Sequence, residues 1–221
     1  MVPDRFNPWA ALDVMAPPNF LTGQKLSRAR SNSARCLEAL AQTGMQYDVL
    51  PDRVTGPGCG FDNAVRLRRA GVRLGAPLPL SCPMALSFFM WEQHALQPAA
   101  QKHLGQRVAA VEHFGSYSCR NINRGEGFAQ SGGASGESRS RHATANAFDV
   151  AGFTLQDGRH VTVLRQWMQM DSAGANSAEA QMLADSHRGA CRFFDGVLGP
   201  DYNAVHRNHF HLETGGYTIC R

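Results

Sequence analysis

The sequence predicts an α+β domain, with helices packed on one side of a mainly antiparallel sheet whose other face is left open. Three observations lead there. Pro83 stands at the first turn of the strongest helical stretch, which continues through Met84, Leu86, Phe89, Met90, Trp91 and Leu96. Asp157-Gly158 separates two alternating runs, the mark of a hairpin and so of antiparallel pairing. His209 and His211 stand two apart, so on a strand they share one face while Phe210 and Leu212 turn to the other.

The chain has 221 residues, 43% hydrophobic and 18% charged, enough for one substantial core and too apolar for a disordered polymer. No apolar run reaches eighteen residues, so no transmembrane segment is expected. Met1-Val2-Pro3-Asp4-Arg5 leads into no apolar stretch of the secretory-signal kind. The net charge of +4 is mild and its carriers are scattered, Arg66-Leu67-Arg68-Arg69 being the densest group. That pattern serves solubility or weak attraction to an anionic polymer, and it excludes a nucleic-acid stripe.

In chain order, residues 1–31 contain Pro3, Pro8, Pro17 and Pro18 and predict an extended arm, anchored by Trp9, Leu12 and Phe20. Residues 32–221 form the domain. Ser33 caps a helix over 34–42, and Gly44 supplies its left-handed stop. Alternation predicts a strand over 45–50, then a Gly- and Pro-rich loop over 51–60. A strand pair over 64–74 is expected to break at Gly71. Pro98 kinks or restarts the long helix, which Gly105 ends. A strand over 107–114 enters a polar loop running to Arg141. Its Gly125, Gly127, Gly132, Gly133 and Gly136 match no phosphate-binding pattern and read as a loop beside a site. Strands follow over 147–155 and 160–164, a helix over 177–187, and a strand from Tyr202 onward through Leu212.

Six cysteines, Cys36, Cys59, Cys82, Cys119, Cys191 and Cys220, contain no Cys-x-x-Cys pair. Thiolate zinc sites and thioredoxin-like chemistry are thereby disfavoured. An even number at wide spacing suits three disulfides in an oxidising compartment; six buried thiols in a cytosolic protein is the competing reading. Neighbour pairing, Cys36–Cys59, Cys82–Cys119 and Cys191–Cys220, would pin three separate loops. The expected location is periplasmic or secreted, with a membrane anchor in the full-length protein left open.

The chemistry concentrates in Ser140-Arg141-His142-Ala143-Thr144-Ala145-Asn146-Ala147-Phe148-Asp149 and in His206-Arg207-Asn208-His209-Phe210-His211. Two imidazoles and one carboxylate, His142, Asp149 and His211, are a favoured catalytic zinc set that keeps a fourth position open for water. Positions seven apart on an unbroken strand face opposite ways, so the chain must bend between His142 and Asp149. His209, and His206 beside it, would be spare imidazoles for proton transfer. Arg120 or Arg141 could clamp a substrate carboxylate, Arg120 with its backbone held by Cys119. Ser140 is a hydrogen-bonding partner at the site; it lacks the G-x-S-x-G elbow of a nucleophile. His94, His103, His113, His160 and His187 read as surface or core residues.

Ser140-x-His142-x-x-Ala145-x-Ala147-x-Asp149 resembles the S-x-H-x-x-G-x-A-x-D signature of the zinc D-Ala-D-Ala metallopeptidase superfamily, and His209-x-His211 resembles its second motif. That superfamily takes in D,D-carboxypeptidases, lysostaphin-related and hedgehog-type domains and the penicillin-insensitive murein endopeptidase. Tyr117-Ser118-Cys119-Arg120, the run from Ala147 to Phe153, and Cys191 are similar to the bacterial extensin-like C-terminal family, over about residues 30–221. The resemblance implies a hedgehog/D-Ala-D-Ala peptidase-like fold with one zinc ion on the open sheet face. It makes His142, Asp149 and His211 the ligands and His209 the unligated imidazole. Ala145 stands where the signature has Gly, and Asn208 where many carboxypeptidases have Glu. His206-x-x-His209-x-His211 instead resembles the murein endopeptidase arrangement, with an imidazole base. The implied activity is zinc-dependent hydrolysis of peptidoglycan peptide bonds, as a D,D-endopeptidase or carboxypeptidase. A non-catalytic, zinc-containing wall-binding module is the alternative, and a purely structural wall protein a third.

Overall fold

In a computed structural model of the chain, residues 3–122, 138–167 and 177–221 are described. The stretch expected to be an extended arm carries a helix, α1 (Thr22–Arg30). Just after the two prolines, the Asn19 N–H donates to Thr22 Oγ1 and the Thr22 N–H donates to the Asn19 carbonyl, which starts the helix. Its Leu26 and Ala29 are buried, a face too narrow to stand out among Lys25, Arg28 and Arg30. Arg30 then crosses the molecule to Asp195 at 2.9 Å and to the Phe193 carbonyl at 3.1 Å. Of the three expected anchors only Leu12 is buried; Trp9 and Phe20 are more than four-fifths exposed. In α2 (Ser33–Ala41) the cap is Asn32, not Ser33: its extended backbone lets its side chain accept from the Arg35 N–H.

A three-stranded antiparallel sheet follows, with β1 (Gln46–Leu50) on β4 (Ala64–Arg69) and β4 on β5 (Leu78–Ser81). The expected loop at 51–60 is a hairpin, β2 (Arg53–Gly56) and β3 (Cys59–Phe61), turned at Gly58 with φ +68°. The predicted strand pair over 64–74 stops at Arg69. Its second half lies against the main sheet instead, Arg73 exchanging backbone hydrogen bonds with Ala109 and Val111. Gly71 permits that path, since a Cβ there would sit 2.3 Å from the Glu92 carboxylate.

α3 (Cys82–Trp91) is capped by Ser81 and starts on Pro83. It runs through a π-helical turn (Glu92–Leu96) into α4 (Gln97–Leu104), which ends at left-handed Gly105. The wide turn replaces the expected kink, because Pro98 has no N–H to give to the helix ladder.

The main sheet is built from β6 (Val108–Gly115), β7 (Ala147–Leu155), β8 (His160–Thr162), β9 (Gly196–Leu198), β10 (Phe210–Glu213) and β11 (Ile219–Cys220). Its order is β11-β9-β10-β7-β6, with β8 on the far half of β7, and every pairing except β11–β9 is antiparallel. The returning strand β8 is shorter than expected; α5 (Val163–Gln166) takes over its end. The last predicted strand begins only at Phe210, after a 3-10 turn over Ala204–His206. The helix expected over 177–187 is α6 (Ala178–Ala190), with Ser177 as its cap and a C-terminal end three residues later than expected.

Phe148 and Val150 turn to the helices, and a register shift at Ala151, between Val150 and Gly152, brings Phe153 and Leu155 to the same side. Phe88 meets Phe148 edge-on at 5.6 Å, Trp91 lies 6.2 Å from Phe153, and the Trp91 indole donates to the Ser186 carbonyl. The α+β expectation therefore holds, with antiparallel sheets and helices packed on one face. Among the described residues no helix is long and apolar enough to cross a membrane.

All six cysteines are paired, as Cys36–Cys82, Cys59–Cys119 and Cys191–Cys220. Only the last neighbour pair is found. α2 packs on the start of α3, bringing the Cα atoms of Cys36 and Cys82 to 6.1 Å. Cys59 is left for Cys119, which ties the β2–β3 hairpin to the segment after β6. Three bridges fit an extracellular or periplasmic setting.

His187 is buried against Phe210 and Trp167, its Nε2 unpartnered, and burial pushes its pKa down to about 4. The unfolded chain therefore takes up a proton near pH 6.5 that the fold refuses until about pH 4. Stability should fall as pH drops through that window, His187 contributing about 3 kcal/mol of the loss. Urea melts of wild type and His187→Phe at pH 4.5 and 7 check this; equal pH slopes would contradict it.

Candidate metal centre

The β7–β10 pairing sets Asp149 directly opposite His211, on the sheet face turned away from the helices. Phe148 and Phe210, beside them in sequence, enter the core on the other side. His142 arrives from a 3-10 turn (Arg141–Thr144), and the required bend is made at Ala145, which is left-handed at φ +55°. A residue with a Cβ costs about 1–2 kcal/mol in that conformation. Neighbouring backbone holds it: the Ala145 carbonyl accepts from the Ser81 N–H at 2.9 Å. Ser140 is buried and its hydroxyl accepts from the His142 N–H, so it caps this turn.

Three side chains converge. His211 Nδ1 lies 2.8 Å from Asp149 Oδ1, His142 Nε2 lies 3.1 Å from Asp149 Oδ2, and the two nitrogens are 3.3 Å apart. A tetrahedron with metal–ligand bonds of about 2.0–2.1 Å has edges of about 3.3–3.4 Å; the two nitrogens match that edge and the carboxylate sits about 0.2–0.5 Å inside it, so the trio could hold an ion after a small outward shift of Asp149. The opposite nitrogens are already engaged. His142 Nδ1 donates to the Ser116 carbonyl at 3.1 Å, and His211 Nε2 meets Glu213 Oε2 at 3.1 Å. Both inward nitrogens are thus free to present lone pairs, beside a carboxylate, to one cation. Burial would raise the Asp149 carboxyl, but hydrogen bonds from His142 and His211 and their charge hold it well below the usual carboxylate range. Burial likewise opposes charge on His211, yet Asp149 and Glu213 outweigh it and lift its pKa to about 9. Without a metal, a proton fills the role of the cation.

His209 and His206 stand alongside, with ring centroids 5.2 Å apart. His209 Nε2 is 3.6 Å from Asp149 Oδ1, while its Nδ1 is held by Asn208 Oδ1 at 2.9 Å. The Asn203 side-chain oxygen accepts from the backbone of Val205 and His206, which makes His206 Nδ1 a donor to it at 2.7 Å. Burial depresses both imidazoles, His206 to about 4, and the charge of Arg120 adds to the effect on each. Both are therefore neutral near pH 7. Arg120 is exposed, close enough for its charge to reach them, and its guanidinium donates to the Asn121 carbonyl at 3.4 Å. Phe114 and Tyr202, both substantially exposed, flank His209 and His206 edge-on. The expected glycine-rich loop beside the site, at 123–137, lies outside the described residues.

Residues 34–221 match the model of the extensin-like protein C-terminus family. The chain belongs to that family. No curated protein and no solved structure matches it. In this extensin-like domain the cluster His142, Asp149 and His211 is the one group of potential ligands that converges among the described residues, with atoms all within 4.8 Å of one another. Sequence reasoning missed Glu213. Its position two after His211 on the same strand was the available signal, since that spacing returns a side chain to the same face.

His211 gives a sign-definite test. Its pKa in the metal-free fold exceeds the unfolded 6.5, so its contribution is full below pH 6.5 and is lost as pH rises through about 9. Metal-free protein should lose up to about 3 kcal/mol across that window, and His211→Ala should not. Chelator-treated melts at pH 6.5 and 9 decide; a flat wild-type profile would contradict the assigned charge.

Proposed function

We propose that this extensin-like domain is a zinc-dependent peptidase that hydrolyses peptide bonds in peptidoglycan stems or cross-links, working in the periplasm or outside the cell. The observation that carries the reading is the convergence of two imidazoles and one carboxylate next to two further, neutral imidazoles. Support also comes from the resemblance of the two motifs to the zinc D-Ala-D-Ala metallopeptidase superfamily, whose hedgehog-like architecture the α+β arrangement suits.

His142 Nε2, His211 Nδ1 and Asp149 would hold the ion. Zinc there supplies a Lewis acid for a scissile carbonyl and lowers the pKa of water to about 7. His209, neutral and with Nε2 toward the centre, accepts the proton of the attacking water and returns it to the leaving amine. His206 stands next in line, its ring centroid 5.2 Å from that of His209. Arg120 holds a substrate carboxylate. Asn208, where many carboxypeptidases have Glu, cannot take a proton; it fixes the tautomer of His209 and passes the base role to the imidazole.

The same Asn208 favours a second reading, a zinc-containing module that binds the wall without cutting it. Purified sacculi separate the two. The peptidase releases new muropeptides with zinc present, and His142→Ala abolishes them. His209→Ala lowers the rate about 10²–10⁴-fold, the usual worth of a positioned acid–base. Tight binding to sacculi with no released product, unchanged by His209→Ala, would overturn the peptidase in favour of the binding module.

A further inference from the structure

We propose that Glu213 is the positioning carboxylate of the metal centre, taking the Nε2–H of His211 and so turning Nδ1 toward the cation. The inference rests on the metal reading of His142, Asp149 and His211. An imidazole at the end of a strand can offer either nitrogen, and the hydrogen bond at the other nitrogen decides which. His142 has that choice made by the Ser116 carbonyl. His211 has it made by Glu213, at 3.1 Å and with both side chains more than four-fifths buried.

The sheet reserves space for this carboxylate. Glu213 lies across from Ala147 on β7 and from Gly196 on β9, the smallest side chains available on its two flanks. A Cβ on Gly196 would come within 2.4 Å of Glu213 Cγ, and one on Gly216 within 2.2 Å of Oε1. Neither glycine has a positive φ, so backbone conformation does not call for glycine at either place. Room for the glutamate does. Oε1 is enclosed by these two backbones and Oε2 is left to the imidazole. The carboxylate also makes the ring a stronger donor to a metal, as such outer partners generally do.

Zinc affinity, measured by competition with a chromogenic chelator, tests the assignment, with thermal melts of the metal-free proteins run in parallel. Glu213→Gln keeps shape and an acceptor oxygen and should weaken zinc about 10-fold; Glu213→Leu should weaken it about 100-fold. Gly216→Ala, which leaves Glu213 in place but crowds it, should also weaken zinc. His211→Ala sets the scale of losing the ligand itself. Zinc affinity within twofold of wild type in Glu213→Gln and Glu213→Leu, where wild type binds one zinc, would overturn the role of Glu213 alone. A loss of affinity matched by an equal loss of metal-free stability in all three variants would overturn it too, by marking the residue as structural. A wild type that binds no zinc would overturn the metal reading and this inference together.

Discussion

The pairing of β7 with β10 is the constraint on which the rest of the site depends. A single register puts Asp149 opposite His211 on one face and Phe148, Val150, Phe210 and Leu212 in the core on the other. A slip by one residue would turn Asp149 and His211 into the core and expose the aromatics, so core packing against α3 and α6 also fixes the site. The same hydrophobic burial that stabilises the fold therefore holds these two candidate ligands 2.8 Å apart. The third, His142, reaches them through a bend at Ala145 whose carbonyl is held by the backbone at the start of α3.

Charge explains why the trio is more than a packing arrangement. Two imidazole nitrogens and a carboxylate directed at one point, away from bulk water, require something positive between them. In the metal-free molecule that is a proton on His211; a divalent ion satisfies all three donors at once. His206 and His209 differ because burial outweighs the pull of the Asp149 carboxylate, and the charges of His211 and Arg120 add to it, which keeps them neutral. The site thus sets a charged cluster beside two uncharged bases, the division of roles that proton-transfer chemistry needs.

Much of this was legible in the sequence because it rested on short-range periodicity. Spacing of two gave the shared face of His209 and His211, spacing of seven demanded the bend before Asp149, and Pro83 and Gly105 bounded the long helix. What escaped depended on distant partners. Cys36 pairs with Cys82 because one helix lies on another, which local loop lengths do not encode. α1 was hidden because its inward face is only Leu26 and Ala29 with a buried Lys25 beside them, too few apolar residues to show a helical period. β9 and β11 are too short to show alternation. Glu213 is an ordinary strand carboxylate until Gly196 and Gly216 are seen to make room for it.

The central claim is that His142, Asp149 and His211 gather one cation and leave a position open beside His209. X-ray absorption at the zinc edge, recorded on the zinc-loaded full chain and on His142→Ala, addresses it most directly. The account predicts one zinc per chain with nitrogen and oxygen neighbours at about 2.0–2.1 Å, two of them imidazoles, and one imidazole fewer in the variant. An identical spectrum from the variant, or sulfur in the coordination sphere, would contradict it.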